Sequence, residues 1–341
     1  MKPQRIAVIG DGGWGTALAL VLHRNGHHVR IWGPFPEYIE QIRAREENEK
    51  FLPGIPCPAA LVWTADHATA VAEAELVILA IPSKFYREVV QAFRPHLPPH
   101  IIVTSVTKGL DKDTHHRMTE TAAQLLPDHP LVALSGPSHA EEVARGVPTA
   151  VVAASTVEAA AVAVQEAFNS DVFRVYTSDD IIGVELGGAL KNVIAIAAGV
   201  SDGIGFGDNS KAALITRGLA EMTRLGVALG AQPITFSGLS GMGDLIVTCG
   251  SQLSRNRRVG EALGRGDKLE QILQRTEQVA EGVWNCANAR ALAGDIGIDV
   301  PITEEVYAIV HEGKNPRDAV SDLLTREPKA EQHSLPDAGT A

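Results

Sequence analysis

The chain has 341 residues, 45% hydrophobic and 21% charged, the composition of a globular protein too long for one small core, so two domains are expected. Thirty basic against 41 acidic side chains leave a net charge of −11, which disfavours nucleic acid and anionic membranes as partners. Aromatic residues at 5% also argue against a stacking platform for single-stranded nucleic acid.

The first half alternates short apolar runs with helical segments. Strands are predicted over residues 6–9, 29–32, 61–64, 76–81, 101–105 and 131–134, with two more at 150–153 and 172–176. Helices are predicted over 16–25 and 38–50 and between most of the remaining strands. Continuous aliphatic runs fit strands buried on both faces, and the βαβα rhythm fits a doubly wound, mostly parallel sheet. Beyond residue 178 the pattern is helical and rich in Ala, Leu and Gly, with no strand signal. The expected division is an α/β domain over 1–180, an all-α domain over 181–326 and a polar, disordered tail over 327–341.

Cys57, Cys249 and Cys286 are an odd, scattered set without CxxC spacing. They read as free thiols in a reducing compartment, so a cytoplasmic chain without a metal centre is expected. Residues 1–5 lead straight into a strand without a secretory pattern. No run reaches the eighteen or so apolar residues of a membrane span. The apolar stretch 193–200 reads as a buried helix.

Gly10-Asp11-Gly12-Gly13-Trp14-Gly15 fits G-x-G-x-x-G. Among 32 glycines such spacing could be an ordinary turn, but this copy follows a strand and opens a helix. In that context Gly10 permits the tight turn, Gly12 lets the backbone approach a pyrophosphate, and Gly15 lets helix and strand pack closely. The pyrophosphate then meets the free N–H groups of the helix start. The first domain is therefore expected to be a Rossmann domain binding NAD or NADP. The second strand ends Trp32-Gly33-Pro34, with neither an acid for a ribose hydroxyl nor an Arg for a 2′-phosphate, so the preference stays open.

Lys191 and Asn192 interrupt an apolar helix. Lys191 is either a snorkelling surface lysine or a buried, paired ammonium. Asp244 and Thr248 share a helix face four residues apart, with Asp244 either an N-cap or a carboxylate that orients Lys191 or a substrate hydroxyl. Ser254-Arg255-Asn256-Arg257-Arg258 is either a solvated basic face or a phosphate site at a helix start. Lys108 follows the fifth strand, and Gly136 and Ser138 follow the sixth, at the sheet edge where ligands of doubly wound folds bind.

From about residue 5 to 325 the chain resembles bacterial-type NAD(P)-dependent glycerol-3-phosphate dehydrogenases. The likeness rests on GDGGWGTALA, TKGL, SGPSHAEEVARGVPTA, LGGALKNVIAIAAGVSDGIGFGDN, GLSGMGDLIVTC, SRNRR and PITEEVY in order. It implies interconversion of dihydroxyacetone phosphate and sn-glycerol 3-phosphate for phospholipid synthesis, in a site between the Rossmann and helical domains. It implies that Lys191 moves the proton at the C2 oxygen, assisted by Asp244 and Asn192. Lys108, Gly136, Ser138, Asp244, Thr248, Ser254, Arg255 and Asn256 are then expected to contact the triose phosphate. Gly10, Gly12, Gly13, Trp14, Gly15, Pro34, Lys108, Ala140, Arg255, Val279 and Glu281 are expected around the cofactor. Pro34 stands where the family often carries His or Arg, which weakens the case for a strong NADP preference. The competing readings are a two-domain dehydrogenase of β-hydroxyacids and a non-catalytic NAD(P)H sensor. A homodimer is the ordinary expectation for such a chain.

Overall fold

The computed structural model describes residues 2–275, 279–328 and 330–331. The chain divides into two units, Met1–Asp111 with His116–Ile181, and Lys112–His115 with Ile182–Ala341. The first contains β1 (Arg5–Ile9), α1 (Gly13–Arg24), β2 (His28–Trp32), α2 (Pro36–Arg45), β3 (Val62–Thr64), α3 (His67–Val71), β4 (Leu76–Leu79) and α4 (Ser83–Phe93). It continues with β5 (Ile102–Ser105), α5 (Met118–Leu125), β6 (Leu131–Ser135), α6 (Ala140–Ala144), β7 (Thr149–Ala154), α7 (Glu158–Phe168) and β8 (Phe173–Ser178).

The eight strands form one sheet in the order β3-β2-β1-β4-β5-β6-β7-β8. All neighbours are parallel except β6 and β7, which run antiparallel. Alternate strand residues feed two separate cores. Ile6, Val8, Leu76 and Ile78 pack with α1, α2 and α7, while Ala7, Ile9, Val77 and Leu79 pack with α3, α4 and α5. Helices on both faces explain why these strands read as unbroken apolar runs. The strand order reverses between β1 and β4, the topological switch point where such sheets bind ligands.

Two boundaries differ from the sequence expectation. The first helix already begins at Gly13. The second stops at Arg45 instead of reaching residue 50, because Glu46 takes a left-handed backbone with φ 51 and Glu47 pairs with Pro56.

The second unit is helical, with no strand among the described residues. Its elements are α8 (Ile181–Ile204), α9 (Asp208–Ala228), α10 (Pro233–Phe236), a π-helical turn (Leu239–Gly243), α11 (Asp244–Gly250) and α12 (Arg255–Gly264). They are followed by α13 (Leu269–Gln274), α14 (Gly282–Asp295), α15 (Pro301–His311) and α16 (Pro316–Leu324). Most of the 327–341 tail expected to be disordered lies outside the described residues.

Charged and polar residues, Lys191, Asn192 and Asp202 among them, interrupt the apolar run of α8; by length and mean hydropathy the helix as a whole could span a membrane, but 83% of its most apolar window is buried inside the protein. It is a core helix. Its backbone touches that of α12: a methyl on Gly199 would lie 2.0 Å from the Arg257 carbonyl oxygen, and one on Gly260 would lie 2.0 Å from that of Ile196. Gly203 and Gly264 repeat the contact one turn on. Only glycine permits such an approach.

Candidate active site

The glycine-rich loop sits at the switch point. Gly10 has φ 126, and a methyl there would lie 2.3 Å from the Ala80 carbonyl oxygen, just past β4. A methyl on Gly15 would strike the Gly10 carbonyl oxygen at 2.1 Å, which accounts for the close packing of α1 on β1. Around Gly12 the side-chain position is open. The start of α1 has no side-chain cap and no acidic residue in its first turn, so N–H groups and helix dipole are available to an anion. Trp14 Nε1 is buried and finds no acceptor among the described residues. This loop fits a dinucleotide pyrophosphate. Pro34 is exposed beyond the end of β2.

Lys108, Gly136 and Ser138 come together at the ends of β5 and β6. The Lys108 ammonium donates to the Gly136 carbonyl at 2.8 Å and to Ser138 Oγ at 3.3 Å. Ser138 Oγ in turn donates to the Gly136 carbonyl at 2.9 Å. Ala140 opens α6, and its Cβ lies 3.8 Å from where a methyl on Gly13 would be.

In the second unit, Lys191 is 5% exposed on α8. Its ammonium pairs with the Asp244 carboxylate and donates to Thr248 Oγ1 at 2.8 Å. Asp244 is 1% exposed, and the cap of α11 falls on Gly243, one residue earlier. The surface reading of Lys191 and the capping reading of Asp244 are both replaced by a buried ion pair. Desolvating two charges is costly, and such a pair holds only when its remaining bonds are satisfied. The π-helical turn delivers Asp244, and its Ser240 carbonyl oxygen would lie 2.5 Å from a methyl on Gly187 of α8. The sequence gives no signal for this turn beyond its glycines.

Asn192 is tied into a second network. Its amide donates to the Gly188 carbonyl at 3.3 Å, and its carbonyl accepts from Asn256 Nδ2 at 2.8 Å. The Asn256 carbonyl accepts from the Gly282 N–H at 2.9 Å, linking α8, α12 and α14. Ser254 caps α12 by accepting from the Arg257 N–H at 3.2 Å. The basic run does not act as one face. Arg255 and Arg258 are exposed, whereas Arg257 is buried and paired with Asp202 and Glu261. Val279 and Glu281, both half-buried, precede α14.

Among the described residues no cluster of three or more His, Cys, Asp or Glu could hold a metal. The three cysteines are unbridged and buried, and burial pushes Cys249 and Cys286 up to about 12, where neither is a nucleophile. Sequence reading passed over Asp11, a buried carboxylate inside the glycine motif. Only the fold reveals what it faces.

Comparison with known proteins gives a consistent picture. Residues 5–161 match the family described as NAD-dependent glycerol-3-phosphate dehydrogenase N-terminus, and residues 180–321 match its C-terminus. A glycerol-3-phosphate dehydrogenase [NAD(P)+] of Citrifermentans bemidjiense is 51% identical over 331 residues, 96% of this chain and 99% of the relative. One from Geobacillus kaustophilus is 50% identical over 335 residues, 97% of each chain. The crystal structure of glycerol-3-phosphate dehydrogenase from Coxiella burnetii superposes with TM-score 0.92 at 40% identity, covering 95% of this chain and 99% of that one.

Proposed function

The chain belongs to the NAD-dependent glycerol-3-phosphate dehydrogenase family, and from that premise we propose that it interconverts dihydroxyacetone phosphate and sn-glycerol 3-phosphate. Membership does not favour the β-hydroxyacid or sensor readings. NADH or NADPH, when bound, supplies the hydride that reduces the C2 carbonyl carbon.

Lys191 carries the proton. As charge builds on the carbonyl oxygen, its ammonium stabilises that charge and donates a proton to the C2 oxygen. In the reverse direction its neutral amine takes the proton from the hydroxyl. Asp244 and Thr248 fix the direction of the ammonium, and Asn192 holds the local backbone by way of Asn256. Ser254, Arg255 and Asn256 receive the substrate phosphate at the start of α12, whose first turn carries no acid, so remote binding energy orients the carbonyl. Lys108, Gly136 and Ser138 complete the triose phosphate contacts. Gly10, Gly12, Gly13, Trp14, Gly15, Pro34, Lys108, Ala140, Arg255, Val279 and Glu281 are assigned to the cofactor. We further assign the enzyme to the cytoplasm and to phospholipid synthesis, as a homodimer.

The observation that carries this reading is the buried Lys191 ammonium paired with Asp244 and Thr248. Initial rates with dihydroxyacetone phosphate and NADH or NADPH test it. Lys191→Ala should lower turnover about 10³-fold while NADH still binds, as read by quenching of protein fluorescence. Near-normal turnover in that variant would reject the assignment.

A further inference from the structure

In NAD-binding sheets an acid at the end of the second strand ordinarily receives the adenosine ribose. Here that place is Gly33, followed by exposed Pro34. The loop after β1 fills it from the other side. A methyl on Gly33 would lie 2.3 Å from Asp11 Oδ2, 2.6 Å from its Cγ and 2.9 Å from its Cβ. The Asp11 carboxylate thus lies against Gly33 where a β2 acid would project, and glycine at 33 leaves room for it.

Asp11 is only 7% exposed. Its Oδ2 finds no hydrogen-bond partner among the described residues. Its backbone, by contrast, is fixed. Asn48 Nδ2 donates to the Asp11 carbonyl at 2.7 Å and to Thr16 Oγ1 at 2.8 Å, and Asn48 is itself held by the Tyr38 hydroxyl at 2.6 Å. Burial pushes the Asp11 carboxyl up to about 6, against the opposing pull of its own backbone N–H and of Lys50, so it remains ionised at neutral pH. A buried anionic acceptor with an unmade bond is expensive unless something supplies the donor.

The arginines nearby in sequence are engaged elsewhere. Arg30 donates to the Thr69 and Ala72 carbonyls, Arg43 to Glu40 and the Trp63 carbonyl, and Arg45 pairs with Glu49. Lys50, the cation that acts on Asp11, lies over the Phe51 ring.

We propose that Asp11 sets the dinucleotide preference: its carboxylate accepts a hydrogen bond from the adenosine 2′-hydroxyl of NADH and repels the 2′-phosphate of NADPH. The proposal rests on the dehydrogenase reading above and adds a specificity-determining residue to it.

The test is a fluorescence titration of the full chain with NADH and NADPH, for the parent, Asp11→Asn and Gly33→Ala, alongside initial rates of the parent with dihydroxyacetone phosphate. The parent should bind NADH at least about tenfold more tightly than NADPH. Asp11→Asn should bring the two dissociation constants together, mainly by tightening NADPH. Gly33→Ala, which displaces the carboxylate without removing it, should also narrow the gap. An unchanged ratio in Asp11→Asn that still binds NADH overturns the proposal, as does a parent that prefers NADPH. If that variant fails to fold, an unchanged ratio in Gly33→Ala does the same. In those cases turnover of dihydroxyacetone phosphate by the parent leaves the dehydrogenase reading standing. Absence of that turnover overturns both.

Discussion

Glu221 on α9 is 3% exposed, yet it accepts from the backbone N–H of Ile302 at 2.8 Å and of Thr303 at 3.0 Å, and from the Thr303 hydroxyl at 2.7 Å. It caps α15 from another helix, since Val300 at the cap position has no side-chain oxygen and Pro301 has no N–H. Glu221→Ala should cost about 3 kcal/mol in chemical denaturation, because it orphans buried donors. Burial raises the Glu221 carboxyl above its ordinary 4.5, while the bonds from Thr303 and Ile302 and the charge of Arg224 oppose the rise. The folded state therefore holds its proton more tightly than the unfolded chain. Its contribution to stability is full below pH 4.5 and declines as pH climbs through the raised folded value. Glu221→Gln should lose that decline, so its stability relative to the parent should improve with rising pH across that window. Neither Glu221 nor Asp11 was legible in the sequence, because the groups they meet, Thr303 and Gly33, lie far along the chain. Lys191, Asp244 and Thr248 were legible as candidates, because a charge inside an apolar helix and an i, i+4 polar pair are local patterns. The sequence offers the pairing of Lys191 with Asp244 across 53 residues as one alternative for Asp244, and the fold selects it; the bond from the ammonium to Thr248 has no local signal.

At the level of elements, the two-backbone contact of α8 and α12 holds the helix carrying Lys191 and Asn192 against the one that begins at Ser254 and Asn256. Gly260→Ala should force the helices apart and cost about 2 kcal/mol in thermal or chemical unfolding. Gly294→Ala, near the end of α14 with nothing within 4 Å of the added methyl, should change stability by less than about 0.5 kcal/mol. Equal effects of the two substitutions would contradict the contact. The strands were readable because burial on both faces demands unbroken aliphatic runs. The start of α12 was readable because Ser254 is a capping residue. The early end of α2 was not, since Glu46 is a poor signal for a left-handed turn. Nor was the π-helical turn before Asp244, which packs closely on Gly187 of α8.

For the whole molecule, the change from strand-forming to helical sequence near residue 178 announced a second unit. The grouping of Lys112–His115 with that unit has no local signature. Ligand linkage offers a test at this scale: NADH at a hundred times its dissociation constant should add about 2.7 kcal/mol to the stability of the state that binds it, seen as a rise in melting temperature. A melting curve indifferent to saturating NADH would contradict dinucleotide binding by the glycine loop. The reversal of β7 against β6 sends the β7–α7 connection to the rim where β6 begins, and Ser155 Oγ indeed bonds the Leu131 carbonyl there. Thr156 and Val157 stand exposed on that connection, at the opposite end of the strands from the glycine loop. A fluorophore, affinity handle or grafted peptide attached at Thr156 would therefore project from the back of the sheet, leaving the nucleotide rim unencumbered.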